Sequence, residues 1–169
     1  ENVSQAFGQL LQFSDKIDEQ IYKREDTVNY LNKVISEYIS TALATPNLNV
    51  NISQALSSYY LMLVDIERIS DYAVNMNHQA TKRLQGDMTI SEIEIVEHMK
   101  KLCVDMKNDL SDVEEAERKD DVIDSLVSSW REAQIQALKQ QKCSSEVSMM
   151  LSRIFTDFER INDHALNVS

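Results

Sequence analysis

Glycine and proline are almost missing from this chain, with two of the first and one of the second in 169 residues. Sandwiches, barrels and glycine-loop nucleotide folds need turn residues far more often, so the scarcity excludes them and leaves helices. Long apolar runs are also missing. The longest run of large apolar or aromatic residues is Tyr59 to Val64, far short of the roughly 20 residues a membrane span requires. Positive charge is scarce, with 17 basic against 28 acidic residues and a net charge of −11. That balance excludes a nucleic-acid partner, because binding a phosphate backbone relies on Lys and Arg. The two cysteines, Cys103 and Cys143, lack metal-type spacing and read as reduced thiols buried in a helix interface of a cytoplasmic protein.

Chemistry-bearing combinations are just as sparse. The three histidines, His78, His98 and His164, read as surface residues. No Glu-x-x-His occurs, which argues against oxygen-activating di-iron chemistry. No Ser-His-Asp or Cys-His arrangement is suggested either, so an enzyme is not expected.

What is present is helical periodicity. The 43% hydrophobic content can fill one core or two small similar ones. Apolar residues at Ile52, Ala55, Tyr59, Met62, Ile66, Ile69, Ala73, Met76 and Ala80 alternate by three and four, which predicts one long helix over about 51–84. Asn51 or Ser53 can cap its start and Gly86 can end it. A like stripe at Val147, Leu151, Ile154, Phe158, Ile161, Ala165 and Val168 predicts a last helix from about 144. Further helices are expected over 1 to about 18, over 22–44 up to the Thr45-Pro46-Asn47 turn, from Thr89 or Ser91 to about 112, and over 115–141. The chain begins at Glu1 without a Met and stops within a helical pattern, as an excised piece would.

An internal repeat organises these helices. DIERISDYAVN at 65–75 returns as DFERINDHALN at 157–167, an offset of 92. KREDTVNYL at 23–31 returns as RKDDVIDSL at 118–126, an offset of 95. The chain is therefore expected to be all-α, a tandem duplication of a three-helix bundle over 1–86 and 87–169 that forms one compact domain.

The repeat carries acids. Glu67 with Asp71, Glu159 with Asp163, and Asp120 with Asp124 each sit four apart, one turn apart on a helix face. The equivalent of the last pair is Glu25 with Asn29. A chain this acidic holds roughly four to five such pairs by chance, so it is the repetition that singles these out. Two acid rows on neighbouring helices repel unless a cation sits between them, and an all-oxygen set suits iron, manganese, magnesium or calcium, with zinc also possible. Asn75 and Asn167 extend each row by a turn and could support it. Arg68 and Arg160 follow Asp65 and Asp157 by three, a spacing suited to an ion pair within the helix.

A duplicated three-helix unit whose last helix reads D-x-E-R-I-x-D-(H/Y)-A-x-N resembles the PhoU family, regulators of bacterial phosphate uptake. The resemblance covers nearly the whole chain and implies a non-catalytic regulatory role in phosphate transport. It also implies surface metal clusters, multinuclear iron or zinc, held by E/D-x-x-x-D motifs. By position the first cluster would use Glu25, Glu67 and Asp71, with Asn29 where an acid is usual; the second would use Asp120, Asp124, Glu159 and Asp163. The family has a free cytosolic branch, working with a phosphate-specific ABC transporter and its sensor kinase. It also has a branch in which the unit is the cytoplasmic domain of a sodium/phosphate cotransporter-like membrane protein. VNYLNKVISEYI at 28–39 resembles the second branch more closely, which implies a covalently linked membrane transporter part as partner; a homodimer is a further partner expectation.

Overall fold

A computed structural model describes residues 1–82, 88–109 and 113–168, with 106–109 and 113–117 described in backbone only. Six helices account for the described residues, and no strand occurs among them: α1 (Asn2–Leu11), α2 (Asp15–Leu43), α3 (Val50–Lys82), α4 (Ile90–Asp109), α5 (Val113–Lys139) and α6 (Ser145–Val168). None is long and apolar enough to cross a membrane. The all-α class expected from the sequence is observed.

Two boundaries differ from the expectations, the break between the first two helices and the cap of α3, while the openings at Thr89 and near 144 are as expected. The first helix stops at Leu11 and the second starts at Asp15, because Gln9 closes a turn around the break. Its side-chain nitrogen donates to the Ser14 carbonyl at 3.0 Å, and its oxygen accepts from the Ser14 N–H at 2.8 Å. This replaces backbone bonds that continuing helix would supply. The cap of α3 is Asn49, whose side-chain oxygen accepts from the Asn51 N–H at 2.8 Å, and neither Asn51 nor Ser53 takes that role. Thr89 opens α4 through a reciprocal pair with Glu92: the Thr89 N–H donates to the Glu92 carboxylate at 2.7 Å, and the Glu92 N–H donates to the Thr89 hydroxyl at 3.3 Å. Ser144 accepts from the Val147 N–H at 3.2 Å at the start of α6. The expected stop at Gly86 lies outside the described residues.

α3 is the hub. It packs against α1, α2 and α6, while α5 packs on α6 and α4 joins α1 to α5. The α3/α6 crossing is antiparallel, with Tyr72 beside Arg160 and Asp65 beside His164. One hydrophobic core serves both halves: Phe7 and Leu10 of α1, Ala73 and Met76 of α3, Val96 and Met99 of α4, Ile123 and Val127 of α5, and Leu151 to Ile161 of α6. Phe7 meets Phe158 edge to face, with centroids 5.9 Å apart. Cys103 packs against this core, and burial pushes its thiol up to about 12. Cys143 departs from the expected helix interface: it sits half-buried in the turn after α5, where Gln134 donates to its sulfur at 3.4 Å. Both thiols are free.

The halves are unequal. α1 has 10 residues and α4 has 20. Arg24 holds α1 to α2 by donating to Asn2 and Gln5, and Asn77 donates to Asp18 at 2.6 Å to tie α3 to α2. Beyond Glu25 and Ser70, α2 and α3 run on together as a two-helix arm over 28–43 and 50–66. The stripe expected to pack along the whole of α3 is therefore buried only in its lower part: Ala73, Met76 and Ala80 lie in the core, while Ile52, Tyr59 and Ile66 are exposed.

Replacing Phe7 with Ala is expected to cost about 3–5 kcal/mol and, because the core is shared, to unfold both halves in one transition. Replacing Tyr59 with Ala is expected to stay within about 0.5 kcal/mol. Urea denaturation followed by circular dichroism checks both.

Candidate functional site

The repeated acids come together at the α2/α3 and α5/α6 seams, and the two constellations are built alike. In the first half Glu25 of α2 is buried and accepts a hydrogen bond from Ser70 of α3. Asp71 and Asn29 face the same carboxylate: burial holds the Glu25 carboxyl above its ordinary range, Ser70 and Asn29 pull it down, and the Asp71 charge pushes it up. In the second half Asp120 of α5 accepts from Asn162 of α6. Burial again raises its carboxyl, and the neighbouring charges of Asp124, Asp163 and Asp121 add to the rise, against the bond from Asn162. Ser70 and Asn162 are equivalent by the 92-residue offset, each one residue before an aspartate of the motif. Sequence reasoning missed both donors, and their recurrence at one repeat position was the signal available.

The third-helix glutamates behave differently. Glu67 is half-buried and, among the described residues, has no ion pair or hydrogen bond. Its equivalent Glu159 is held at 2.7 Å by Arg131, which also donates to Thr156 at 3.1 Å and lies 5.6 Å from the Phe155 ring centroid. Position 36 is the first-half equivalent of Arg131 and carries Ser36, so only the second half has this internal counter-cation. No three His, Cys, Asp or Glu side chains are arranged to hold a metal ion among the described residues.

The supporting residues do not extend the acid rows. Asn167 donates to Asp65 at 3.4 Å, and exposed Asn75 lines a groove of about 340 Å³ between α3 and α6, with Arg153 and Asp157. The ion pairs expected from Asp65 to Arg68 and from Asp157 to Arg160 do not form. Asp65 instead holds the His164 Nδ1 at 2.7 Å, Arg68 is exposed, and Arg160 donates to the Tyr72 hydroxyl at 3.1 Å. His164 also stacks on Tyr72, so it works in the seam between the repeats, where the sequence suggested a surface residue. For Asp65 and Arg160 a partner on the crossing helix wins over one on the same helix, since α3 and α6 lie face to face.

The description "PhoU domain" matches residues 1–80 and again 90–169. The chain belongs to the PhoU family. It is similar to a protein of Thermotoga maritima named "Phosphate-specific transport system accessory protein PhoU homolog 1", 23% identical over 180 residues, which span 99% of this chain and 76% of that protein. No solved structure gives a significant match. The two matched stretches each hold one acid constellation, in agreement with the repeat read from the sequence.

Asp157 supplies a pH test in the same seam. Burial raises its carboxyl from 3.8 to about 6, against the pull of Arg160 and Arg153. The folded state thus holds this proton more tightly than the unfolded chain does. The resulting stability is fully present below pH 3.8 and is lost as pH rises through about 6. Asp157→Asn is expected to melt higher relative to wild type at pH 7.5 than at pH 4, which thermal scans at both values would show.

Proposed function

We propose that this chain is a regulatory accessory module of phosphate transport with no catalysis of its own, and that its paired acid constellations are cation sites through which its state is set. Family membership supports the phosphate-transport reading, and the name of the Thermotoga relative favours an accessory protein of a phosphate-specific transport system. The tie to a sodium/phosphate cotransporter that residues 28–39 suggested gains no support from that relative, so the accessory reading is the one carried forward.

The observation that carries the cation reading is the gathering of like charges. Asp71 faces Glu25 across one seam, Asp163 faces Asp120 across the other with Asp124 one turn along the same helix, and both central carboxyls are raised. A hard divalent cation supplies the neutralising charge such oxygen sets lack. The donor chemistry fits iron, manganese or magnesium, and zinc through carboxylates. Glu25, Glu67 and Asp71 would hold it in the first half, with Asn29 as a neutral neighbour. Asp120, Asp124, Asp163 and Glu159 would hold it in the second, where Glu159 has first to leave Arg131. Ser70 and Asn162 fix the central carboxylates in place, and burial limits their contact with water.

Elemental analysis before and after chelation, with melting curves on reloading iron, manganese, magnesium or zinc, tests this reading. Near-stoichiometric metal and a rise in melting temperature are expected, as mass action requires of a ligand that prefers the folded state. The Asp120→Asn, Asp163→Asn double variant is expected to lose the second-half metal. Without metal it should melt no lower than wild type at pH 7, since removing the repulsion is worth at most about 1 kcal/mol after solvent screening. A metal-free protein whose melting is indifferent to all four ions would refute the cation sites and leave the transport role resting on protein surfaces alone.

A further inference from the structure

The antiparallel crossing of α3 and α6 relates the repeats, so each seam residue has a counterpart at the offset of 92. On one side of the crossing Asp65 is satisfied: it holds the His164 Nδ1 at 2.7 Å and accepts from Asn167 at 3.4 Å. On the other side the counterpart carboxylate is Asp157, with Tyr72 in the place of His164 and Asn75 in the place of Asn167. There the contacts are not repeated. The Tyr72 hydroxyl accepts from Arg160 at 3.1 Å, and Asn75 and Asp157 line a groove of about 340 Å³ together with Gln79, Ser152, Arg153 and Thr156.

This lining is polar and unspent. Among the described residues, the side chains of Asn75, Gln79, Ser152, Arg153 and Asp157 make no hydrogen bond or ion pair, while the Thr156 hydroxyl is engaged between Arg131 and the Ser152 carbonyl. Asn75 with Gln79 on α3, and Arg153 with Asp157 on α6, are each one turn apart, so the two walls carry one row apiece. The set is particular to this side. Ser152, Arg153 and Thr156 correspond to Tyr60, Leu61 and Val64, so the guanidinium and the two aliphatic hydroxyls have no copy beside Asp65.

The donor and acceptor pattern decides what fits. Arg153 only donates, the two carboxamides and the Ser152 hydroxyl add further donors, and an ionised Asp157 only accepts. A bare cation is repelled by Arg153, and a fully deprotonated anion such as sulfate is repelled by Asp157. An oxyanion that keeps one proton meets both demands, since its free oxygens accept from the donors and its O–H donates to the carboxylate. Phosphate retains such a proton at neutral pH and sulfate does not. We propose that this groove binds hydrogen phosphate, with Arg153 as the charged anchor and Asp157 as the acceptor that selects it over sulfate. The inference deepens the proposed function and rests on its phosphate-transport reading, but not on the cation sites. It puts the transported ion at the seam that joins the two halves.

Calorimetric titration of the chelator-treated chain with sodium phosphate at pH 8 tests the site, with sodium sulfate and glycine as comparison probes. Saturable one-to-one binding of phosphate alone is expected, together with shifts of the Asn75 and Gln79 side-chain amide signals in NMR spectra. Arg153→Gln should weaken it at least about tenfold by removing the charged donor. Asp157→Asn should abolish the selection, so that phosphate and sulfate bind within about threefold of each other, because a carboxamide donates to either anion. Both side chains lie outside the shared core, and unchanged circular dichroism verifies that each variant is folded. Wild type that binds no phosphate, that binds sulfate as well as phosphate, or that prefers glycine overturns the proposal. Phosphate bound before chelation and lost after it also overturns the groove, by placing the anion at the metal and leaving the cation sites standing. Selective binding in a chain indifferent to iron, manganese, magnesium and zinc upholds the groove while refuting the cation sites.

Discussion

The antiparallel crossing of α3 over α6 is the constraint on which the molecule depends. Neither repeat closes a core alone. Phe158 of the second half is sealed by Phe7 of the first, and the apolar positions of α3 from Ala73 to Ala80 are buried in the same cluster as Leu151 and Ile154. Burying several large side chains at a single seam contributes on the order of 2 kcal/mol each, so the seam outweighs any one loop or cap. It also decides the polar contacts at its rim. Asp65, His164, Tyr72 and Arg160 all find partners across the crossing, which is why same-helix pairing inferred from spacing fails there.

Much of this architecture is legible in the sequence because it rests on period and repetition. The three-four alternation marks the long helices, and the eleven-residue repeat fixes two equivalent halves before any contact is known. The break at Gln12 to Ser14 was not legible. It is made by one glutamine side chain closing on a backbone five residues away, with no Gly or Pro to mark it. Burial along α3 was only half legible, since periodicity tells which face is apolar but not how far the neighbouring helices extend. The short α1 leaves residues such as Tyr59 open, although their repeat partners are sealed.

The acid motif shows the same division. Spacing alone puts Asp120 with Asp124 on one helix face, and the structure sets Asp71 near Glu25 and Asp163 near Asp120 across the two seams. What spacing does not carry is the hydrogen-bond environment. Ser70 and Asn162 lock the central carboxylates, and Arg131 engages Glu159 in the second half alone. The duplication has thus kept three of the four carboxylate positions, with Asn29 in place of the fourth, and changed their counter-charges. Two sites of common origin are left with different electrostatic resting states.

The length of α3 has a mechanical consequence. The helix has 33 residues, and its lower part from Asp65 onward is held by the body while the upper part extends with α2. Glu67 and Asp71 sit within two turns of the point where that hold ends, near the fulcrum of a long rod. From there to Val50 is roughly 25 Å at 1.5 Å per residue, so a tilt of about 10° at the carboxylates sweeps the tip through roughly 4 Å. Small changes in spacing between the acids and Glu25 are geared up into displacements the size of a side chain at the far end of the arm.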